Sequence, residues 1–190
     1  KALNYAFDFE DLNRNLAFDA FERIDSYFWG TELASSGLPE GREKEILEGM
    51  KDRVPPEVFT TPYTNPVSGD AQKARANLRQ ALTLFQEAGY ELRGTQLVNA
   101  ETGEPFELEI LLSSPSFERS VLPYVANLKK IGVNARIRTV EASQYTNRVR
   151  SFDYDMIWSV WAQSLNPGNE QAGYWGSASV DRDGSRNSAG

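Results

Sequence analysis

Between residues 106 and 161 the spacing of apolar positions changes repeatedly, and each change marks an element. Phe106-Glu107-Leu108-Glu109-Ile110 alternates apolar and charged side chains with period two, the pattern of a strand that buries one face. Phe117, Val121, Val125, Leu128 and Ile131 then recur at helical spacing, and Gly132 follows where a helix C-terminus favours glycine. Pro123 interrupts that pattern, so either Ser120 caps a later start or the helix is kinked. Val133-Asn134-Ala135-Arg136-Ile137-Arg138 alternates again, and Ala142, Tyr145 and Val149 share one side of a short polar helix. Met156-Ile157-Trp158-Ser159-Val160-Trp161 is apolar with little alternation, which predicts an interior strand covered on both faces. Strand, helix, strand, helix, strand is the order of an α/β layer with crossover connections, here expected to be a mixed sheet with helices on its faces.

The rest of the chain is expected to frame that layer. Leu3, Ala6 and Phe7 mark one short helix, and Asp8 can cap a second with Leu12 and Leu16 on its apolar side. Phe18, Phe21, Tyr27, Phe28 and Trp29 crowd together, predicting a packed corner, with an exposed partner surface as the alternative. Pro39 opens a charged helix to about Arg53, in which Glu40 and Lys44 form a surface pair. Pro55, Pro56, Pro62 and Pro66 make 54–69 a loop. Asp70 caps the clearest helix, 71–88, with Ala74, Leu78, Ala81, Leu82 and Phe85 inward and Gly89 at its end. Residues 95–105 read as a strand and a Gly103 loop returning as a hairpin into 106. The expected organisation is one lobe over 1–190, with a helical and Pro-rich periphery at 1–69 and an α/β core at 70–190.

Composition removes several kinds of chemistry. The chain contains no Cys and no His, so a thiol nucleophile, a disulfide, a Cys/His zinc site and a His base cannot be built within it. Neither phosphate-cradling glycine motif is present, nor a G-x-S-x-G elbow. No cofactor or metal is expected. The net charge of −7 argues against a nucleic-acid partner. Residues 111–150 run against that balance, with 7 basic and 2 acidic side chains. Arg136 and Arg138 share a strand face, with Arg148 and Arg150 close behind, as a solvated face or a local site for carboxylates or phosphates. Glu107 and Glu109 are expected on a solvated face, and Asp153 and Asp155 read as strand-edge charges. No run of about 18 apolar residues exists to span a membrane. The chain opens on Lys1-Ala2-Leu3 without a leader and closes on Arg186–Gly190 without a closing element, as expected of a piece of a longer protein.

Ligands of open α/β sheets bind beyond the carboxyl ends of strands, and the segment after Trp161 has that position. Its amides and hydroxyls, with Trp161 at the mouth, make Trp161, Gln163, Ser164, Asn166 and Asn169 the candidate ligand-binding residues. The alternative is a plain polar turn in which Asn166-Pro167-Gly168 serves only the backbone.

The ordered set Leu108…Leu112, Leu128-Lys129-Lys130-Ile131-Gly132-Val133, Tyr145, Phe152-Asp153-Tyr154-Asp155-Met156 and the Trp161 segment resembles the family 5 extracellular solute-binding proteins. These are the oligopeptide-, dipeptide- and nickel-binding components of bacterial ABC importers. Tyr154–Ser164, with Tyr174-Trp175-Gly176-Ser177 and Gly184–Asn187, is similar to the subgroup associated with microcin C and peptide uptake. The resemblance implies one lobe of a two-lobed, monomeric binding protein, periplasmic or extracellular and membrane-associated through its transporter. It implies a peptide ligand and ABC permease partners. It also implies that Gln163, Ser164 and Asn166-Pro167 stand where many peptide-binding members carry an Asp for the peptide's α-ammonium, so a long, modified or N-blocked ligand is favoured. Two other readings remain: a hydrolase lobe with its catalytic residues outside this chain, and a carbohydrate surface on Trp158, Trp161 and Trp175, which needs those rings exposed.

Overall fold

The computed structural model describes residues 1–180 and 182–187. Ser188, Ala189 and Gly190, part of the tail in which no closing element is predicted, lie outside the described residues. The chain divides into two compact units, one made of residues 1–21 with 66–190 and the other of residues 22–65.

In the larger unit, α1 (Ala2–Tyr5) and α2 (Phe9–Leu16) come first. Asp8 caps α2, its Oδ1 accepting from the Asp11 amide at 3.0 Å. Asn13 is buried in the second half of α2 and grips Phe21 from both sides, its Nδ2 donating to the carbonyl at 2.8 Å and its Oδ1 accepting from the amide at 3.0 Å. That grip closes a turn in which Phe18 and Asp19 both take positive φ, 53° and 61°. The aromatic corner expected here is open instead: Phe18 is 85% exposed, and Phe21, Tyr27 and Trp29 are exposed too. Density of rings in sequence does not bury them when the turn points them outward.

The second unit holds α3 (Gly41–Glu48) and a 3₁₀ turn at Pro56–Phe59. None of residues 22–65 is buried; Ile46 on α3 and Met50 just after it are exposed, and Leu47 is half-buried. The helix is shorter at both ends than its charge pattern predicts. Lys44 pairs with Glu48 at 3.8 Å rather than with Glu40, because Glu40 sits outside the helix as its N-cap.

Back in the larger unit, α4 (Ala71–Glu87) is capped as expected, Asp70 Oδ1 accepting from the Lys73 amide at 2.8 Å. It turns Ala81 and Phe85 inward. Next come β1 (Tyr90–Arg93) and β2 (Gln96–Asn99), an antiparallel hairpin. A hairpin thus forms one strand earlier than expected, around Gly94, and the return from Gly103 towards 106 is a short antiparallel bridge at Val98–Pro105, in which the Asn99 amide donates to the Glu104 carbonyl and the Phe106 amide to the Leu97 carbonyl, each at 2.8 Å. Phe85, Tyr90 and Phe106 meet edge to face, with ring centroids 5.1–6.1 Å apart.

β3 (Glu107–Leu112), α5 (Glu118–Lys130), β4 (Asn134–Thr139), α6 (Ala142–Arg150) and β5 (Met156–Ile157) build the layer, and β3 lies centrally between β4 and β5 with both pairings parallel. The mixed α/β character thus divides into a parallel three-stranded sheet and an antiparallel hairpin. Leu108, Ile110 and Leu112 pack on Val121, Val125, Leu128 and Ile131 of α5 and its end, and on Ala81 and Phe85 of α4. α5 runs through Pro123, after a 3₁₀ turn at Pro115–Phe117 that Ser114 caps. Gly132 has φ +83°, and a Cβ there would lie 2.6 Å from both Leu92 Cδ1 and the Leu97 amide, so only glycine fits.

The last strand differs most from expectation. β5 ends at Ile157, half-buried, and Val160 is 83% exposed. Among the described residues β5 pairs only with β3, so it is an edge strand. The Trp158 carbonyl, which a longer ladder could use, accepts instead from the Tyr145 hydroxyl at 2.6 Å.

Candidate functional site

Because β3, β4 and β5 are parallel, the segments leaving them, 113–117, 140–141 and 158–169, start from one edge of the sheet. Trp158 stacks on Phe117 with ring centroids 5.6 Å apart and planes 19° apart. Behind it a cleft of about 320 Å³ opens between α1, α5 and the sheet, lined by Leu3, Phe7, Ile110, Val121, Tyr124 and Met156 among others. Tyr124 donates its hydroxyl to the Leu3 carbonyl at 3.1 Å, and burial pushes that phenol's pKa well up, so it stays a donor.

The chain beyond Trp158 is held by a short helix, α7 (Glu170–Trp175). Trp161, half-buried, stacks on Trp175 at 6.3 Å and 22°. Gln163 Oε1 accepts from Gln171 Nε2 at 2.6 Å, and Gln171 Oε1 accepts in turn from the Trp175 indole N–H at 3.1 Å. Among the described residues, the buried Gln163 Nε2 has no hydrogen-bond partner. The structure therefore brings Trp161 and Gln163 together, on one α7 face, and separates them from Ser164, Asn166 and Asn169 on the exposed loop. Ser164 spends its hydroxyl on the Asn166 carbonyl at 2.7 Å. Asn169 occupies the N-cap position of α7 without a side-chain cap bond. Glu170 accepts from the Gly168 amide at 2.8 Å, and that bond holds its carboxyl below the ordinary range. Gln171 and Trp175 are absent from the sequence-based site; their four-residue spacing on one helix was the available signal.

Below this edge lies an ionic cluster. Glu109, with its side chain 10% exposed, receives Arg148 at 3.1 Å, Arg136 at 3.2 Å and Arg138 at 3.7 Å. The solvated face expected for Glu109 is thus corrected, because arginines from β4 and α6 converge on it. The carboxylate that the basic stretch awaits is the chain's own. Burial by itself raises the Glu109 pKa, but hydrogen bonds from Arg148 and Arg136 and the charges of Arg138 and Arg148 outweigh it, leaving a net lowering. Arg148 also donates through Nε to Asp153 Oδ2 at 2.8 Å, and its own pKa is raised by that bond. The Glu109 amide donates to Asp155 Oδ2 at 2.8 Å. Asp153 and Asp155 are therefore structural anchors as well as strand-edge charges.

A parallel sheet with helical crossovers, with aromatic and amide groups beyond its carboxyl edge, has the geometry in which open α/β sheets place ligands. The chain belongs to the bacterial extracellular solute-binding proteins, family 5, matching the description "Bacterial extracellular solute-binding proteins, family 5 Middle" over residues 1–183. It is 66% identical over 190 residues to the "Probable peptide-binding protein YejA" of Agrobacterium fabrum, covering all of this chain and 31% of that protein. It is 64% identical to the "Uncharacterized protein y4wM" of Sinorhizobium fredii, again over its whole length and 29% of the relative. The chain thus spans less than a third of the curated relatives it matches. Among solved structures, the oligopeptide-binding protein AppA of Bacillus subtilis, in complex with a nonapeptide, superposes with a TM-score of 0.61 at 19% identity, over 98% of this chain and 31% of that one. At that identity the likeness concerns the fold.

Proposed function

We propose that this chain is part of one lobe of the substrate-binding component of an ABC importer, which captures peptides, including long or modified ones, in a cleft between two lobes and delivers them to the permease. It works outside the cytoplasmic membrane, in the periplasm or extracellular space, and meets the membrane through its transporter. The mechanism is hinge closure around the ligand rather than bond making. The observation that carries this reading is the open segment 158–169 beyond the parallel sheet, with Trp161 and Gln163 held on α7. The peptide-binding name of the Agrobacterium relative and the nonapeptide in the Bacillus protein support it.

Residues 156–169 contain no charged side chain. A peptide lying there meets aromatic faces, amides and backbone, and a free α-ammonium finds no carboxylate among 156–169. The flanking carboxylates, Asp155 and Glu170, are engaged by the Glu109 and Gly168 amides, which favours ligands whose termini lie elsewhere or are blocked. The carbohydrate reading gains from the partial exposure of Trp158 and Trp175. Each ring already stacks on another protein ring, though, which leaves one face at most for a sugar. Mass spectrometry of the ligand that co-purifies with the full-length protein tests the proposal. Peptides are expected; a purely glycan ligand, or a metal chelate, would replace the peptide reading.

A further inference from the structure

We propose that α6 is a two-point clamp on β5, and that Tyr145 and Arg148 are the positioning residues that set the course of segment 158–169 for ligand binding. The binding part of this inference rests on the peptide reading above. β5 contributes only two residues to the sheet, paired Ile110–Met156 and Leu111–Ile157. Two pairs at an edge cannot by themselves fix the direction of the long segment that follows. Phe117 and α7 hold the segment further along; the constraint immediately before and after β5 comes from α6, whose Tyr145 and Arg148 are three residues apart and therefore on one face of the helix.

Arg148 holds the way in. Its Nε donates to the Asp153 carbonyl at 3.0 Å and to Asp153 Oδ2 at 2.8 Å, while Nη2 reaches Glu109 Oε1 on β3 at 3.1 Å. The turn it secures is strained, with Phe152 at φ +56°. Tyr145 holds the way out, through its hydroxyl bond to the Trp158 carbonyl at 2.6 Å. Burial, with the neighbouring Tyr154, raises the Tyr145 pKa, which keeps the hydroxyl a donor. The end of the same helix also fixes the returning chain, since the Arg150 carbonyl accepts from the Gly184 amide at 2.7 Å. The bond Tyr145 makes to the segment runs through its hydroxyl oxygen alone. Its loss changes direction and mobility rather than core volume.

The test compares Tyr145→Phe and Arg148→Lys with wild type in the full-length protein, by limited chymotrypsin digestion with the cuts mapped by mass spectrometry, and by capture of a pool of free and N-acetylated synthetic nonapeptides. In Tyr145→Phe, cleavage after Trp161 and Leu165 is expected to be about tenfold faster, with cuts elsewhere unchanged. Nonapeptide affinity is expected to fall about tenfold, the effect of one lost hydrogen bond to a positioned group. In Arg148→Lys, which keeps the charge but loses the fork, faster cleavage is expected after Phe152 and Tyr154, with a similar loss of affinity. Unchanged cleavage after Trp161 and Leu165 in Tyr145→Phe overturns the clamp whatever the ligand is. Faster cleavage with unaltered nonapeptide affinity overturns the positioning role. If wild type captures no nonapeptide, free or acetylated, the peptide reading fails and cleavage alone decides the clamp. Should Tyr145→Phe lower the melting temperature of the whole protein, Arg148→Lys decides: unchanged cleavage after Phe152 and Tyr154 overturns the clamp, and unaltered nonapeptide affinity overturns the positioning role.

Discussion

β3 and β5 are hydrogen-bonded neighbours in one sheet, yet they are stabilised by different means. β3 is covered on both faces: Leu108, Ile110 and Leu112 meet the helices, while Glu109 and Leu111 are buried on the other side. β5 has two half-buried residues and is held mainly by side chains from elsewhere, Arg148 before it and Tyr145 after it. A strand fixed by packing tolerates little change in shape. A strand fixed by a few polar contacts can launch an open segment and leave its aromatic and amide groups available, which suits a ligand surface.

Truncation should separate the two most sharply. Leu111→Ala, at a fully buried site on β3, is expected to cost about 3–4 kcal/mol in chemical denaturation. Val160→Ala, just beyond β5 and largely exposed, should change stability by less than about 0.5 kcal/mol. Similar losses at both positions would mean that the region after β5 is core.

The next effect concerns the hairpin beneath β3. Gly132→Ala forces a side chain into a positive-φ position where its Cβ meets Leu92 and the Leu97 backbone. A loss of about 2–3 kcal/mol is expected, from the left-handed conformation together with the clash. A neutral result would show that β2 can move away from Gly132.

Much of this was legible in the sequence, and the misses share one cause. α4, α5, β3 and β4 follow from periodicity, and Asp8 and Asp70 cap as their positions predict. Such signals are local, and the structure preserves them because the elements are long enough to bury a full face. Glu109 is misread by the same rule, since alternation assigns it outward while three arginines arrive from β4 and α6. The apolar run Met156–Trp161 is misread because composition cannot tell a buried strand from a two-residue edge strand followed by an exposed segment. Trp161 and Gln163 are singled out by position at the end of the layer; Gln171, whose amide bonds Gln163, is not, because the chain returns to it only eight residues later.

Glu109 gives a third, smaller and pH-dependent distinction. Its folded pKa lies below its ordinary value of 4.5. The carboxylate therefore stabilises the fold fully above that value, and the stabilisation is lost as pH falls through 4.5 towards the lower folded value. Glu109→Gln should cost about 2 kcal/mol at neutral pH, and the gap to wild type should narrow in denaturation curves taken below pH 4.5. A gap independent of pH would mean that shape rather than charge stabilises the cluster.

The central claim is that the segment leaving β5 binds peptide. Its most direct test is calorimetric titration of full-length wild type and Trp161→Ala with the peptide recovered from the protein, alongside their melting temperatures. The account predicts an affinity loss of about tenfold or more, as expected for an aromatic contact removed from a ligand, with a melting temperature that hardly moves. A Trp161→Ala protein that binds as tightly as wild type, or that unfolds without its ring, would contradict it.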